Sequence, residues 1–159
     1  MIQLIWHYTT GFQLEKILKS GELQVSQWEK QNKVKPPALW LSTNPVWEHT
    51  ATSMIKDDIG QIRGLTKDEL HQMYGLVRFS VPFKKEMFCS WGKYKYKSNT
   101  PLNVYLSLER QGIIKGANPN EWYASFENIP LEKCIACEKW NGTKWIEHID
   151  LRNYGKSNA

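Results

Sequence analysis

Apolar residues recur along this chain in short blocks whose spacing switches between strand and helix periods. Residues 2–8 form a run rich in β-formers and predict a strand. Thr10-Gly11-Phe12-Gln13 has capping-box spacing, Leu14, Ile17 and Leu18 follow at helical intervals, and Gly21 supplies a left-handed stop. Residues 27–37 are polar, carry Lys30, Lys33 and Lys35, and read as a mobile loop. Residues 38–42 predict the next strand. Asn44-Pro45 then predicts a second helix, Asn as N-cap and Pro at the first helical position, running through Trp47, His49 and Met54.

Thr66-x-x-Glu69 caps a short third helix that ends near Gly75. In residues 76–81, Val77, Phe79 and Val81 alternate with Arg78 and Ser80, the pattern of a half-buried strand. Pro101 opens a helix carrying Leu102, Tyr105, Leu106 and Glu109, with Gly112 as its stop. A loop of Gly, Asn and Pro leads into a strand over 121–126. Two further strands, 133–140 and 143–149, flank Asn141-Gly142, the strongest short hairpin signal. Helices crowd the first part and strands the last, which predicts an α+β fold. Residues 1–154 read as one domain and 155–159 as a frayed tail.

Composition narrows the classes. Eight Trp, seven Tyr and five Phe exceed what a core of this size needs, so some aromatic area is expected in a cleft. No run approaches the ~20 apolar residues of a membrane span, and the N-terminus lacks a signal-peptide pattern, so a cytoplasmic location is expected. Cys89, Cys134 and Cys137 are an odd set that builds no disulfide framework. Cys134-Ile135-Ala136-Cys137 has metal-ligand spacing, but His49, His71 and His148 are scattered, so strand filling is the reading and no metal is expected. The net charge of +5 favours polyanions, including nucleic acid or a phosphate-bearing ligand, without choosing between them and a solvated basic surface.

Polar groups at the ends of apolar strands are costly to bury and need a reason. Three such ends stand out: Trp6-His7-Tyr8-Thr9, Leu41-Ser42-Thr43-Asn44 and Asn120-Glu121-Trp122-Tyr123. Each has a plain structural alternative. His7 fits a satisfied core histidine, Ser42-Thr43-Asn44 a strand end with a helix cap, and Glu121 a solvated edge residue. In residues 84–97, Trp91, Tyr94 and Tyr96 interleave with Lys93, Lys95 and Lys97. That texture fits a single-strand nucleic-acid platform, or a lysine-rich loop with its aromatics turned inward.

Taken in order, the three strand ends resemble the diphtheria-toxin-like and poly(ADP-ribose)-polymerase-like ADP-ribosyltransferases. Trp6-His7-Tyr8-Thr9-Thr10, then Ile17-Leu18 and Gly21, is similar to their opening strand and helix. Trp40-Leu41-Ser42-Thr43-Asn44, followed by Ala51, is similar to their second element. Asn120-Glu121-Trp122-Tyr123-Ala124-Ser125, with Ile129, Leu131 and Ile135, is similar to the strand bearing their catalytic glutamate. The resemblance covers about half the chain.

That resemblance implies a split, mixed or antiparallel sheet clamping NAD as substrate, with ADP-ribose passed to a macromolecular acceptor, protein or nucleic acid. It implies that His7 donates to the adenosine-side ribose, that the Tyr8 backbone with Thr9 holds the carboxamide, and that Ser42 and Thr43 serve the nicotinamide ribose. Glu121 is the implied catalytic residue, its carboxylate stabilising an oxocarbenium-like ribose. Trp40 or Trp47 is the expected stacking face, and Lys93, Lys95 and Lys97 the expected acceptor contacts. The chain departs from the family at Tyr8, where Gly often follows the His. It departs at Leu41 and Thr52, which stand nearest the toxin-like tyrosines, and at Pro119, two before the glutamate. Two other readings stay open: an RNA 2′-phosphotransferase-like enzyme, for which Arg63, Arg78 and Arg110 match no motif, and a non-catalytic nucleotide- or nucleic-acid-binding module. A small toxin or phage-encoded effector would be a biological role for the first reading.

Overall fold

The computed structural model describes residues 1–33 and 36–155. Lys35 of the expected loop and residues 156–159 of the expected tail lie outside the described residues. The chain opens with β1 (Leu4–Thr10), α1 (Gly11–Ser20), β2 (Glu22–Leu23), α2 (Gln27–Gln31) and β3 (Leu39–Ser42). A hairpin of β4 (Met54–Lys56) and β5 (Ile62–Gly64) precedes α3 (Lys67–Tyr74) and β6 (Leu76–Pro82). Then come β7 (Cys89–Ser90), α4 (Trp91–Lys97), α5 (Leu102–Ile114) and β8 (Trp122–Ser125). β9 (Ile129–Pro130), β10 (Ala136–Trp140) and β11 (Trp145–Asp150) finish it.

Seven strands make one sheet in the order β11-β10-β6-β1-β3-β8-β7, and every pairing in it is antiparallel. The fold is α+β. Strand parity sorts the core into two layers. On one face Ile5, Leu39, Leu41, Val77, Phe79, Val81 and Cys137 pack with Leu14, Ile17 and Leu18 of α1. On the other, two aromatic clusters sit side by side: Trp40, Trp91, Tyr94 and Trp122, then Trp6, Tyr8, Trp47, Trp140 and Trp145.

The sheet is unevenly joined. β1 pairs with β6 along all seven of its residues, Leu4↔Pro82 to Thr10↔Leu76. Toward β3 its ladder holds a single partner pair, Trp6↔Ser42. The seam between β1 and β3 is therefore where the sheet opens.

Several sequence expectations are corrected. The helix predicted from Asn44-Pro45 does not form. Asn44 Oδ1 accepts from Val46 N–H at 2.9 Å and Trp47 N–H at 3.3 Å, as a cap would, but residues 45–53 then run irregularly into β4. Tertiary contacts override the local signal. Trp47 is drawn into an aromatic cluster on Tyr8, centroids 5.3 Å apart, and buried Glu48 turns to accept from the Thr50 hydroxyl at 2.7 Å. The expected loop over 27–37 begins as α2, because Ser26 Oγ caps it by accepting from Glu29 N–H. Thr10 makes no side-chain cap on α1, whereas Thr66 and Glu69 form the full capping box on α3.

Gly112 does not end α5. It lies inside the helix, where an added Cβ would fall 2.6 Å from the Trp122 ring. β6 is central rather than half-buried, so Arg78 and Ser80 are buried too. Arg78 survives there by pairing with Glu138 at 3.0 Å and donating to the Pro45 carbonyl and Tyr8 hydroxyl. The basic-aromatic stretch over 84–97 folds as β7 and α4 instead of a loop, with Trp91 and Tyr94 turned into the core.

Candidate active site

β3 and β8 pair in register, Ser42 opposite Trp122, which brings the second and third strand ends together. One residue further on, Thr43 N–H donates to the Glu121 carbonyl at 3.0 Å. Glu121 closes a 3₁₀ turn, Pro119–Glu121, so its side chain leaves the chain just before the strand begins. Asn44 Nδ2 donates to Glu121 Oε1 at 3.3 Å. A carboxylate is thus held at the end of the sheet by a neutral amide, with no arginine or lysine in an ion pair with it among the described residues.

Trp122 anchors that corner. Its indole N–H donates to Glu48 Oε1 at 3.1 Å, its ring meets Trp91 edge-on at 5.4 Å, and its far side fills the space left by Gly112. Position 112 has to be small for the ring to lie there. Glu48 and Gly112 carry no sequence signal that names them as supports of residue 121.

Ser42 is nearly fully buried, and its Oγ accepts from Asn44 N–H at 3.1 Å. The hydroxyl is engaged in shaping the turn that aims Asn44. Thr43 is half-buried. Tyr8 is buried, its hydroxyl donates to the Asn44 carbonyl, and burial pushes its pKa up to about 12. Its main chain has no β3 partner, since the β1–β3 ladder stops at Trp6. Thr9 pairs with Val77, on the side away from β3. Trp47 is buried against Tyr8 and stacks on Trp145 at 6.5 Å.

His7 stands apart from the carboxylate. Its Nδ1–H donates to the Trp40 carbonyl at 2.9 Å, bridging the seam by a side chain where the backbone ladder has ended. Burial lowers its pKa and keeps the imidazole neutral, outweighing that hydrogen bond. Trp40 packs with Trp91 and Tyr94 and donates to Glu29 Oε2 at 3.0 Å. It is half-buried, packed against that aromatic cluster.

Beside Asn44 opens a cleft of about 520 Å³, within the usual range of ligand pockets. Trp47, Thr52, Leu65 and Thr66 line it together with His49, Lys67 and Lys115. Of the expected residues, only Trp47 is on its wall. Lys67 and Lys115 come from separate helices and gave no sign in the sequence. A second cavity of about 540 Å³ is lined by Trp91, Lys95, Glu109 and Asn120, and Glu121 lines neither cavity.

Of the expected acceptor lysines, Lys93 and Lys97 are exposed, while Lys95 pairs with Glu109 at 2.9 Å. Cys134 and Cys137 are buried, and burial pushes both thiols up to about 12. Among the described residues no group of three or more His, Cys, Asp or Glu side chains is placed to hold a metal, and no helix is long and apolar enough to cross a membrane. No family model, curated protein or solved structure matches the chain.

Proposed function

We propose that this protein cleaves the nicotinamide–ribose bond of NAD and transfers ADP-ribose to a macromolecular acceptor. The observation that carries the reading is Glu121, a carboxylate at the end of the sheet that accepts from Asn44, itself a lining residue of a basic cleft large enough for a nucleotide. As the glycosidic bond breaks, its electron pair leaves with the nicotinamide ring nitrogen, which becomes neutral, so that leaving group needs no general acid. The ribose turns cationic, and a carboxylate on its 2′-hydroxyl stabilises that charge. The acceptor's nucleophile then bonds to the anomeric carbon and gives its proton to solvent.

The seam between β1 and β3, where Trp6↔Ser42 is the one ladder pair, supports a split sheet of the ADP-ribosyltransferase type. Ser42 acts in this reading through Asn44, and His7 holds the seam instead of touching the ribose. The acceptor face is α4, where Lys93 and Lys97 remain exposed. A second reading, a non-catalytic nucleotide-binding module on the same scaffold, is favoured by the engagement of both His7 and Ser42 within the fold. The 2′-phosphotransferase reading loses ground, because Arg78 is buried on Glu138 and no arginine lines the cleft. Incubation with cell lysate and adenylate-labelled NAD tests the transfer. Label on a macromolecule, absent with Glu121→Gln, supports it; label that never leaves the nucleotide pool counts against it.

A further inference from the structure

The cleft beside Asn44 has an unbalanced charge. His49, Lys67 and Lys115 line it, and no Asp or Glu does. Among the described residues the ion pairs are Arg63–Glu69, Arg78–Glu138, Lys95–Glu109 and Arg152–Asp150, so neither lysine has a carboxylate partner. On α3, Asp68 acts on Lys67 electrostatically but forms no ion pair with it, and Glu69 is already bonded to Arg63 at 2.9 Å and to Thr66 N–H at 2.8 Å.

Lys67 is held in place without being neutralised. Its Nζ lies 3.4 Å from the Trp140 ring centroid, 5.5 Å from Trp47 and 5.8 Å from Trp145. Aromatic faces attract an ammonium but leave its N–H groups free to donate on the open side. Lys115 ends α5 and reaches toward β5, where Gly64 leaves room; a Cβ there would meet its Nζ at 3.7 Å. His49 packs against Gly116, 3.5 Å from where a Cβ would stand. Three basic groups from separate segments therefore converge on one space with an apolar floor of Trp47 and Leu65.

We infer that this cleft is a phosphate-binding site, in which Lys67 and Lys115, with His49, grip the phosphoryl groups of a nucleotide. The inference goes beyond the transferase reading, since it holds for a binding module as well as for an enzyme. The diphosphate of a dinucleotide and the backbone of a nucleic acid both carry the chemistry. An anion there completes the hydrogen bonds of the lysine ammonium groups.

Calorimetric titration of the whole chain with ADP, ADP-ribose, adenosine and a short single-stranded oligonucleotide tests it. ADP is expected to bind at least ~10-fold tighter than adenosine, with the advantage shrinking between ~50 and ~200 mM salt. Lys67→Ala with Lys115→Ala is expected to abolish that advantage, while Lys84→Ala leaves it. Lys115→Glu alone is a check that folding cannot confound, because the residue is exposed. It should weaken ADP more than adenosine. Glu121→Gln should keep ADP binding, which separates this site from the catalytic reading. Preference for ADP-ribose over the oligonucleotide assigns the phosphates to a dinucleotide, and the reverse assigns them to a nucleic-acid backbone. Equal binding of ADP and adenosine, or ADP binding indifferent to both lysine variants, overturns the inference.

Discussion

Two regions of the molecule use their lysines in opposite ways. On the α4–α5 side the lysines are dense in sequence, yet Lys95 is paired with Glu109 and Lys97 sits 5.6 Å over the Phe126 ring. Glu109 also accepts from the Trp91 indole at 2.6 Å, so this cavity wall is a closed network. On the other side Lys67 and Lys115 are far apart in the chain, converge in space and meet no acid. A run of charge in a sequence marks a surface; an unpaired charge in a cleft marks a site.

The comparison can be broken most forcefully at Asn44, which joins the cleft to the carboxylate. Asn44→Ala should lower turnover of NAD by about 10- to 100-fold, the range found when the partner orienting a functional group is lost. The loss should fall on kcat with KM little changed, and a loss confined to KM would show that Asn44 contacts substrate instead. Next in size is the helix behind Trp122. Gly112→Val pushes a side chain into the indole and should destabilise the protein by about 2–3 kcal/mol. Gly92 of α4 faces open space, so Gly92→Ala should be neutral or stabilise by up to ~1 kcal/mol. Thermal melts of both variants check the contrast.

The smallest effect concerns the closed side. The hydrogen bond from Lys95, and then that from Trp91, holds the Glu109 carboxyl below its ordinary range. A carboxylate lowered by folding adds stability above its unfolded pKa and loses it as pH falls through the folded value. Glu109→Gln should therefore cost under ~1 kcal/mol at neutral pH, as expected of a solvent-screened pair. The gap from the parent should close on acidification. Melts at several pH values measure it, and a gap that widens in acid would contradict the assignment.

Much of the frame is legible in the sequence. The α1 stop at Gly21, with φ of 76°, the Thr66–Glu69 box and the Asn141-Gly142 hairpin are all local devices, and local devices can be read locally. The segment after Ser42 departs from its local signal for a physical reason. Asn44-Pro45 is a good cap signal, but Trp47 and Glu48 gain more from Tyr8, Trp145 and Trp122 than from another helical turn.

The candidate site divides in the same way. Glu121, Thr43 and Ser42 were placed by strand pairing, which sequence order anticipates. Lys67, Lys115 and His49 meet only through the packing of α3, α5 and the loop after β3, and nothing in their sequence neighbourhoods links them. Trp40 and His7 make hydrogen bonds within the fold, to Glu29 and to the Trp40 carbonyl, and aromatic and imidazole groups at strand ends serve a core as readily as a ligand.

The most direct measurement is nicotinamide release from NAD by the purified protein and by Glu121→Gln, with ADP binding measured on both. The account predicts release by the parent chain, a fall of about 100-fold or more in the variant, and unchanged ADP affinity. Equal release from both proteins, or ADP binding by a parent that releases none, would contradict it.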